Sequence, residues 1–263
     1  MTPQFDFGEN WKHFSRHALD EERVKDAALS FELLCEGVPL RGEQFLDIGF
    51  GQGLGLLNAA NLGAFVVGCD INDKCATALE ENRRFFPRIK APIPVVVGSI
   101  LEAETIAKLR ALSPTGDYRV VHSWGVLHHT GNMRKAITNS ASLVMDQGYL
   151  IIAIYNKHWS SPLWLYIKRF YMGSPHFLRR TIVLLLLPLI FCAKFLVRGR
   201  EAFRQERGMD FSHDVVDWVG GYPYEYATRS EIELQLLPLG FKLQKFFPAR
   251  VPTGCNEFIF RKT

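Results

Sequence analysis

A glycine-rich turn between an apolar strand and a helix constrains the fold more than any other part of the sequence. Residues 45–53 read Phe-Leu-Asp-Ile-Gly-Phe-Gly-Gln-Gly, and glycines at alternate positions let the backbone turn tightly and approach a ligand closely. An apolar helical run follows at 54–62, and a second apolar strand then ends in Asp70. The unpaired N–H groups at the start of such a helix point toward whatever binds there. This order of elements predicts the first β-α-β unit of a nucleotide-binding fold.

The spacing of these residues favours a nucleoside without phosphates over a dinucleotide. The dinucleotide fingerprint needs Gly or Ala at the sixth position, and that position counted from Gly49 is Leu54. Asp47, two residues before the first glycine, is a poor neighbour for a pyrophosphate and a good one for a cationic group. Asp70 follows Gly49 by 21 residues, close to the interval of about 20 at which an acid meets ribose hydroxyls.

With its Asp-x-Gly-x-Gly-x-Gly pattern and the acid that ends the second strand, the chain resembles the class I S-adenosylmethionine-dependent methyltransferases. It is most similar to their small-molecule branch, which includes the ubiquinone and menaquinone biosynthesis enzymes. Residues 124–129 (Trp-Gly-Val-Leu-His-His) are similar to the segment after that family's fourth strand. Residues 146–148 (Asp-Gln-Gly) stand where the family has Pro-Gly-Gly, so the proline and one glycine are missing. The resemblance covers residues 40–155 well and residues 228–263 loosely.

Short apolar runs bounded by turn residues predict five further strands, which alternate with helical patterns. The predicted strands are 94–99, 118–124, 148–155, 241–246 and 256–260, and the predicted helices are 73–84, 102–112, 133–144 and 230–239. Alternation of this kind predicts an α/β fold with a mostly parallel sheet covered on both faces. The resemblance implies a Rossmann-like sheet of seven strands, with the seventh antiparallel beside the sixth, in a single methyltransferase domain over 1–263.

The spacing of the cysteines indicates whether the chain has a metal site, and the first ten residues indicate where in the cell it acts. The five cysteines are scattered, and neither a Cys-x-x-Cys pair nor Cys/His ligand spacing occurs, so we expect no metal site. Residues 1–10 lack the basic and apolar regions of a secretory signal. Both observations favour a reducing, cytoplasmic location.

The first 40 residues predict an N-terminal helical cap. Acids at 20–22 precede apolar residues at helical spacing from Val24 to Leu34. Trp11 and Phe14 lie in an aromatic cluster ahead of this helix. The resemblance implies that this segment covers the cofactor, and the alternative is that these aromatics pack the helix on the sheet edge.

Residues 156–229 form an insertion between the fifth and sixth strands that is longer than the family core needs. Its apolar run, 181–197, is short for a bilayer span of about 20 residues and contains Pro188 and Lys194, so we do not expect it to cross a membrane. Between Asn156 and Asp210 there are ten Lys or Arg against three acids, with tryptophans and tyrosines interleaved. This composition suits peripheral membrane contact, a lid over a lipophilic acceptor, a homodimer contact, or a helical pair buried on the core. An apolar run beside the basic residues argues against nucleic acid as the partner.

The resemblance implies S-adenosylmethionine as the cofactor and assigns roles around the turn. Gly49, Gly51 and Gly53 admit the cofactor backbone, Asp47 orients the methionine ammonium, and Asp70 accepts from the ribose hydroxyls. The remaining cofactor contacts are Trp11 in the cap, Ile71 on the adenine face, Ser99 and Ile100 at the adenine edge, and Trp124 near the methionine. Many relatives have an acid at the position of Ser99, and serine is a weaker acceptor from the adenine amine.

Candidate residues for the acceptor lie after the fourth and fifth strands and in the insertion. His128 is the candidate general base, because it follows the strand end where ligands bind and histidine titrates near neutral pH; the alternative is that the His-His pair only holds the loop. The candidate substrate contacts are His129, Tyr155, Asn156, Trp218, Tyr222 and Glu225. The acids in this part of the insertion could instead pair with neighbouring arginines.

The predicted function is transfer of a methyl group from S-adenosylmethionine to a small, lipophilic acceptor by in-line displacement. Two alternatives are an RNA or protein methyltransferase and a non-catalytic S-adenosylmethionine-binding protein. The first would need a separate recognition module, and no Asn-Pro-Pro-Tyr-type tetrapeptide follows the fourth strand. The second would need neither His128 nor an open acceptor cavity.

Overall fold

The computed structural model describes residues 19–198, 215 and 218–263. Its helices are α1 (Glu21–Leu34), α2 (Leu54–Asn61), α3 (Lys74–Asn82), α4 (Ala103–Leu112), α5 (Met133–Ala141), α6 (Ser161–Gly173), α7 (His176–Arg198) and α8 (Arg229–Leu236). Its strands are β1 (Gln44–Ile48), β2 (Phe65–Asp70), β3 (Val95–Val97), β4 (Tyr118–Trp124), β5 (Val144–Tyr155), β6 (Phe241–Phe247) and β7 (Cys255–Lys262). The 3-10 turn Leu127–His129 follows β4.

The strands form one seven-stranded sheet in the order β3-β2-β1-β4-β5-β7-β6. Strands β1 to β5 are parallel, and β7 lies antiparallel between β5 and β6. The predicted Rossmann-like class and the antiparallel seventh strand are therefore confirmed. Because the strand order reverses between β1 and β4, a crevice opens there at the carboxyl edge of the sheet, where ligands bind in open α/β folds.

Two apolar layers cover the sheet, because neighbouring residues of a strand point to opposite faces. In β1, Leu46 packs in the layer formed with α4, α5 and α8, whereas Phe45 packs in the layer formed with α1, α2 and α3. Strand β4 divides its adjacent Val120 and Val121 in the same way. The central strands are buried on both faces, as a parallel sheet between helical layers requires.

Helix α1 confirms the helical part of the predicted cap. Asp20 caps its N-terminus by accepting a hydrogen bond from the Arg23 backbone N–H at 2.9 Å, which satisfies one of the unpaired donors of the first turn. The buried face includes Val24, Phe31 and Leu34, which the helical spacing predicts. Trp11 and the rest of the predicted aromatic cluster lie outside the described residues.

Several predicted boundaries differ from the observed ones at the junction of α5 and β5. The helix predicted to reach residue 144 ends at Ala141, and the strand predicted to begin at 148 begins at Val144. Val144 pairs with Tyr118 across the sheet, but the register then shifts before Tyr149 pairs with Val120. Pairing with β4 therefore takes Val144 out of the helix, and the polar residues 146–148 form an irregularity within the strand.

The insertion begins with a helical hairpin made of α6 and α7. Tyr171 and Met172 of α6 pack against Ile182, Leu186 and other apolar residues of α7, together with Val215, Trp218 and Val219. Pro188 lies inside α7. Within the described part of the chain, no helix is both long enough and apolar enough to cross a membrane.

Gln147, in the irregular part of β5, is a non-glycine residue with a φ of 62°. A side chain in this left-handed region is strained, and the compensating bond is a surface one, from Arg261 Nη2 to Gln147 Oε1 at 2.8 Å. We expect Gln147→Gly to raise the free energy of unfolding by about 0.5–1 kcal/mol, measured by urea denaturation. Gln147→Ala removes the same bond and keeps the strain, so it should not stabilise; equal effects of the two variants would contradict the explanation.

Candidate functional site

The turn after β1 can be built only with glycines at its key positions. Gly49, Gly51 and Gly53 have φ values of 73°, 55° and 84°, all in the region that other residues avoid. A Cβ on Gly49 would lie 2.4 Å from the methyl groups of Val126, and one on Gly53 would lie 2.4 Å from Leu79 Cδ1. The turn is thus packed tightly underneath by protein, and its own N–H groups are hydrogen-bonded, from Gly49 to the Cys69 carbonyl at 2.6 Å and from Gly53 to the Phe50 carbonyl at 2.9 Å.

A buried hydrogen bond joins β1 to β4 beside this turn. His122 Nδ1 lies 2.7 Å from Asp47 Oδ1, and the two residues are register partners on adjacent parallel strands. The His122 ring packs against the rings of Phe31 and Phe45, with ring centroids 5.9 and 5.8 Å away. The second carboxylate oxygen faces the first turn of α2, since a Cβ on Gly55 would meet it at 2.7 Å. His122 therefore fixes the direction of a carboxylate that the sequence analysis assigns to the cofactor.

Asp70, at the end of β2, lies on the other side of the turn. Its Oδ2 accepts from the Gly51 backbone N–H at 3.1 Å, and its Oδ1 accepts from the Asn72 backbone N–H at 2.9 Å. Burial raises the pKa of the carboxyl, and the two backbone N–H groups oppose that shift. The side chain of Ile71 next to it is exposed, so an apolar surface is available immediately beyond the acid.

Ser99 and Ile100 follow the adjacent strand β3 at the same edge. The Ser99 hydroxyl accepts from the Leu101 backbone N–H at 3.2 Å, so it stabilises the local turn. Ile100 is buried, and its carbonyl accepts from Asn139 Nδ2 at 2.8 Å. The structure therefore brings both residues to the edge next to Asp70, with Ile100 facing inward.

Trp124 ends β4 on the opposite side of the turn. Its indole N–H donates to Glu257 Oε1 at 2.9 Å, and Glu257 belongs to β7. This bond holds the indole ring at the carboxyl edge, where β4 and β5 also end. The carboxyl ends of all five parallel strands thus bring together residues that are predicted to contact the cofactor or the acceptor.

A second cluster of predicted residues lies beyond β4 and β5 and consists mainly of aromatic rings. The His128 ring centroid is 3.9 Å from that of Tyr155 and 4.5 Å from that of His129. Tyr155 in turn contacts Trp218 and Tyr224 at 5.1 and 5.2 Å. The insertion therefore packs directly on the ends of the core strands through Trp218, as a lid would.

Both histidines of this cluster are buried and favour the neutral form. Burial, His129 and the charge of Lys168 lower the pKa of His128 well below its usual value. Burial and Lys168 lower the pKa of His129 to about 3, and its Nδ1 donates to the Pro223 carbonyl at 2.6 Å. His128 Nδ1 lies 3.4 Å from the Tyr155 backbone N, and a backbone hydrogen bond with Ala153 opposes the lowering of the His128 pKa. Nε2 is buried without a hydrogen-bond partner in the described residues.

Lys168 completes this cluster, and the sequence analysis did not assign it a role. Its side chain is fully buried, and its ammonium donates to the Trp218 carbonyl. The ammonium also lies over the rings of Trp218 and Tyr224, 4.1 and 4.8 Å from their centroids. Such contacts stabilise a desolvated cation. The alternation of basic and aromatic residues in α6 was the available signal.

Asn156, Glu225 and Tyr222 connect the insertion to the core. Asn156 Oδ1 accepts from Asn256 Nδ2 at 3.0 Å, and its own amide donates to the Pro252 carbonyl at 2.8 Å. Glu225 Oε2 accepts from the Met133 backbone N–H at 2.9 Å and so satisfies a donor at the start of α5. Tyr222 is partly exposed. Asn156 and Glu225 thus have structural partners in the described residues, and their assignment to the acceptor remains a prediction.

No sequence motif points to His122, because its partner Asp47 is 75 residues away and only the pairing of β1 with β4 reveals the contact. Trp11 lies outside the described residues, so its cofactor role also remains a prediction. Over 19–198 and 218–263, no group of three or more His, Cys, Asp or Glu residues could hold a metal ion.

Comparison with known proteins identifies the type of domain. A family model described as a methyltransferase domain matches residues 15–183. No curated protein matches the chain.

Solved structures with the same fold have low sequence identity to the chain. Magnesium protoporphyrin IX methyltransferase from Synechocystis PCC 6803, solved with bound SAH, is 16% identical with a TM-score of 0.53, over 100% of this chain and 90% of that one. A SAM-dependent methyltransferase from Anabaena variabilis is 14% identical with a TM-score of 0.58, over 99% and 98% of the two chains. An O-methyltransferase family protein from Burkholderia thailandensis is 13% identical with a TM-score of 0.55, over 91% and 57%.

The buried histidine pair predicts a pH dependence of stability. His129 has a folded-state pKa of about 3, below the value of about 6.5 for an unfolded histidine. The unfolded chain therefore binds a proton that the folded chain does not, and stability falls as the pH falls from about 6.5 toward 3. Replacing His129 with Gln should reduce the slope of the unfolding free energy between about pH 5.5 and 4 by about 1.4 kcal/mol per pH unit. Urea titrations of both proteins across this range measure it, and identical slopes would contradict the burial of a neutral ring.

Proposed function

The chain belongs to the methyltransferase domain family, and on that basis we propose that it methylates a small, lipophilic acceptor. S-adenosylmethionine is its cofactor, and a small molecule is its substrate. The cofactor, when bound, supplies an electrophilic methyl group on a sulfonium. The protein contributes position, electrostatics and the exclusion of water.

The observation that carries this proposal is the pair of buried carboxylates flanking the glycine turn. Asp70 accepts from the Gly51 backbone N–H, and Asp47 is held by His122 with its second oxygen toward α2. A nucleoside with vicinal hydroxyls and an amino-acid ammonium suits this charge distribution, whereas a pyrophosphate would meet two like charges. The residues present therefore fit the cofactor.

The two carboxylates and the residues around them hold the cofactor. Asp70 accepts from the ribose hydroxyls and Asp47 faces the ammonium. The glycines keep the backbone close to the ligand, Ile71 covers the adenine, and Ser99 and Ile100 border its edge. Trp124, fixed by Glu257, borders the methionine side, and Trp11 belongs to the covering segment.

The acceptor side is the aromatic cluster formed by Tyr155, Trp218 and Tyr224 with the two histidines. Its rings, together with the apolar hairpin above them, provide a desolvated environment for a lipophilic substrate. His129, Asn156, Tyr222 and Glu225 are the other proposed contacts of the acceptor in this part of the site. His128 Nε2, buried without a protein partner in the described residues, is the atom that meets the acceptor hydroxyl. Its lowered pKa keeps the ring unprotonated at neutral pH, as a base must be.

Location and assembly are part of the same proposal. The protein acts in the cytoplasm, and the segment 181–197 is the candidate for peripheral contact, with a membrane and a second copy of the chain as its two alternative partners. The proposed organisation is a single methyltransferase domain over 1–263, with a cap over 1–40 and an insertion over 156–229 within it.

Calorimetry with S-adenosylhomocysteine tests cofactor binding. We expect the folded protein to bind this product, and Asp70→Asn to weaken binding roughly tenfold or more, because hydrogen bonds to a charged acceptor contribute about 1.5–3 kcal/mol. Since burial already disfavours the Asp70 anion, the substitution should not unfold the protein. Asp73→Asn, the same charge change at an exposed residue three positions later, is the matched control and should bind normally. A folded wild-type protein that gives no binding heat would refute the function.

Replacement of His128 separates chemistry from cofactor binding. We expect His128→Ala to reduce turnover about 10²- to 10⁴-fold, the usual contribution of a general base, with unchanged affinity for S-adenosylhomocysteine. His128→Gln keeps a polar side chain at this position but cannot take a proton, so it should be equally slow. Methyl transfer to a panel of lipophilic hydroxyl compounds measures turnover. Unchanged turnover in His128→Ala would remove the base from the mechanism, and recovery in His128→Gln would assign His128 to orientation alone.

A further inference from the structure

We propose that the outer face of the α6–α7 hairpin is a docking surface for an anionic phospholipid bilayer. This inference goes beyond methyl transfer, because it concerns where the enzyme is held and does not depend on which acceptor it uses. It follows from three observations: how the hairpin is anchored, which side chains it leaves exposed, and which charges it carries.

The hairpin is anchored on its inner side and at its turn. Tyr171 of α6 and Ile182, Val183 and Leu186 of α7 pack with Val219 in a separate apolar cluster. The guanidinium of Arg179 donates to the carbonyls that end α6, at 3.1 Å to Tyr171, 2.6 Å to Met172 and 2.8 Å to Ser174. The polar groups of the turn are therefore satisfied internally, and the relative position of the two helices is fixed there.

The outer side leaves large apolar side chains in water. Trp159 is 84% exposed, Tyr166 74%, Leu184 71% and Leu185 65%. Their neighbours at helical spacing are also exposed: Leu163 and Phe170 on α6, and Phe177 on α7. Single exposed hydrophobic residues are normal, but a concentration of them on adjacent helices marks an interaction site. Trp and Tyr in particular favour the boundary between water and lipid.

The charges on this hairpin all have one sign. No Asp or Glu occurs between Gln147 and Arg200. The two helices contain the basic residues Lys168, Arg169, Arg179, Arg180, Lys194 and Arg198. Lys168 is buried and Arg179 is used at the turn, whereas Arg169 and Arg180 are exposed beside the apolar residues. Basic residues next to exposed apolar and aromatic ones are the composition of segments that lie on anionic membranes.

The same charges argue against a second copy of the chain as the occupant. A symmetric dimer would bring this face against itself, so basic residues would oppose basic residues across an apolar contact. Anionic headgroups instead neutralise them, and the acyl region accepts the leucines and aromatics. Because the inner side of the hairpin contacts Trp218, which borders the proposed acceptor chamber, docking would bring that chamber close to the bilayer. This last consequence rests on the proposed function.

Vesicle sedimentation with the full chain tests the docking surface. We expect the protein to bind vesicles of phosphatidylcholine mixed with phosphatidylglycerol at least about tenfold more tightly than vesicles of phosphatidylcholine alone, with binding weakened by salt. The double variant Leu184→Glu/Leu185→Glu should lose at least about tenfold in binding to the mixed vesicles, because it replaces apolar contact by charge repulsion. Both positions are exposed, so folding should be unaffected.

The matched control is Leu33→Glu/Leu234→Glu, at two leucines that are each 69% exposed but lie on α1 and α8. This control should bind vesicles like the wild type. Calorimetry with S-adenosylhomocysteine on all three proteins shows whether each is folded, so a failure of docking is distinct from a failure of cofactor binding. Absence of binding to the mixed vesicles, or an equal loss in the control, would overturn the proposal. A wild-type dimer that the hairpin variant converts to monomer, without lipid binding, would assign the face to a second copy instead.

Discussion

The hydrogen bond between Asp47 and His122 is the interaction on which the cofactor side of the site depends. It connects two adjacent parallel strands at the point where the strand order reverses, and it determines which carboxylate oxygen faces α2. A buried carboxylate without a partner would be costly, and one that could rotate would not present a defined acceptor. By packing Phe31 against the His122 ring, the N-terminal helix stabilises this geometry from outside the nucleotide-binding unit.

The cofactor and acceptor sides of the site use opposite electrostatics. The turn is bordered by carboxylates that suit a cationic ligand end, whereas the acceptor side contains neutral histidines, aromatic rings and the buried cation of Lys168. Burial, and to a lesser extent the Lys168 charge, lowers the pKa of both histidines, so both rings stay neutral without any contact from the cofactor side. Under the proposed function, a lipophilic acceptor and a charged cofactor would therefore occupy neighbouring parts of one crevice in environments suited to each.

Local sequence patterns were enough to predict those elements whose conformation depends mainly on neighbouring residues. β4 was predicted with its observed bounds, and the glycines of the turn were identified because few other residues adopt their conformation. The junction of α5 and β5 was predicted wrongly, since pairing of Val144 with Tyr118 decides it. Likewise, the contacts of His122 and Lys168 join residues 75 and 50 positions apart. No spacing rule reveals such partners, so the sequence assigned no role to either His122 or Lys168.

The position of β7 has a consequence for how the protein matures during synthesis. Because β7 lies between β5 and β6, the earlier-made β6 has no edge to join until the ribosome has released the strand that follows it. The partner of the Trp124 indole, Glu257, emerges with that same strand. A nascent chain can therefore form its glycine turn early, but the Trp124 indole lacks its Glu257 partner until β7 has been made.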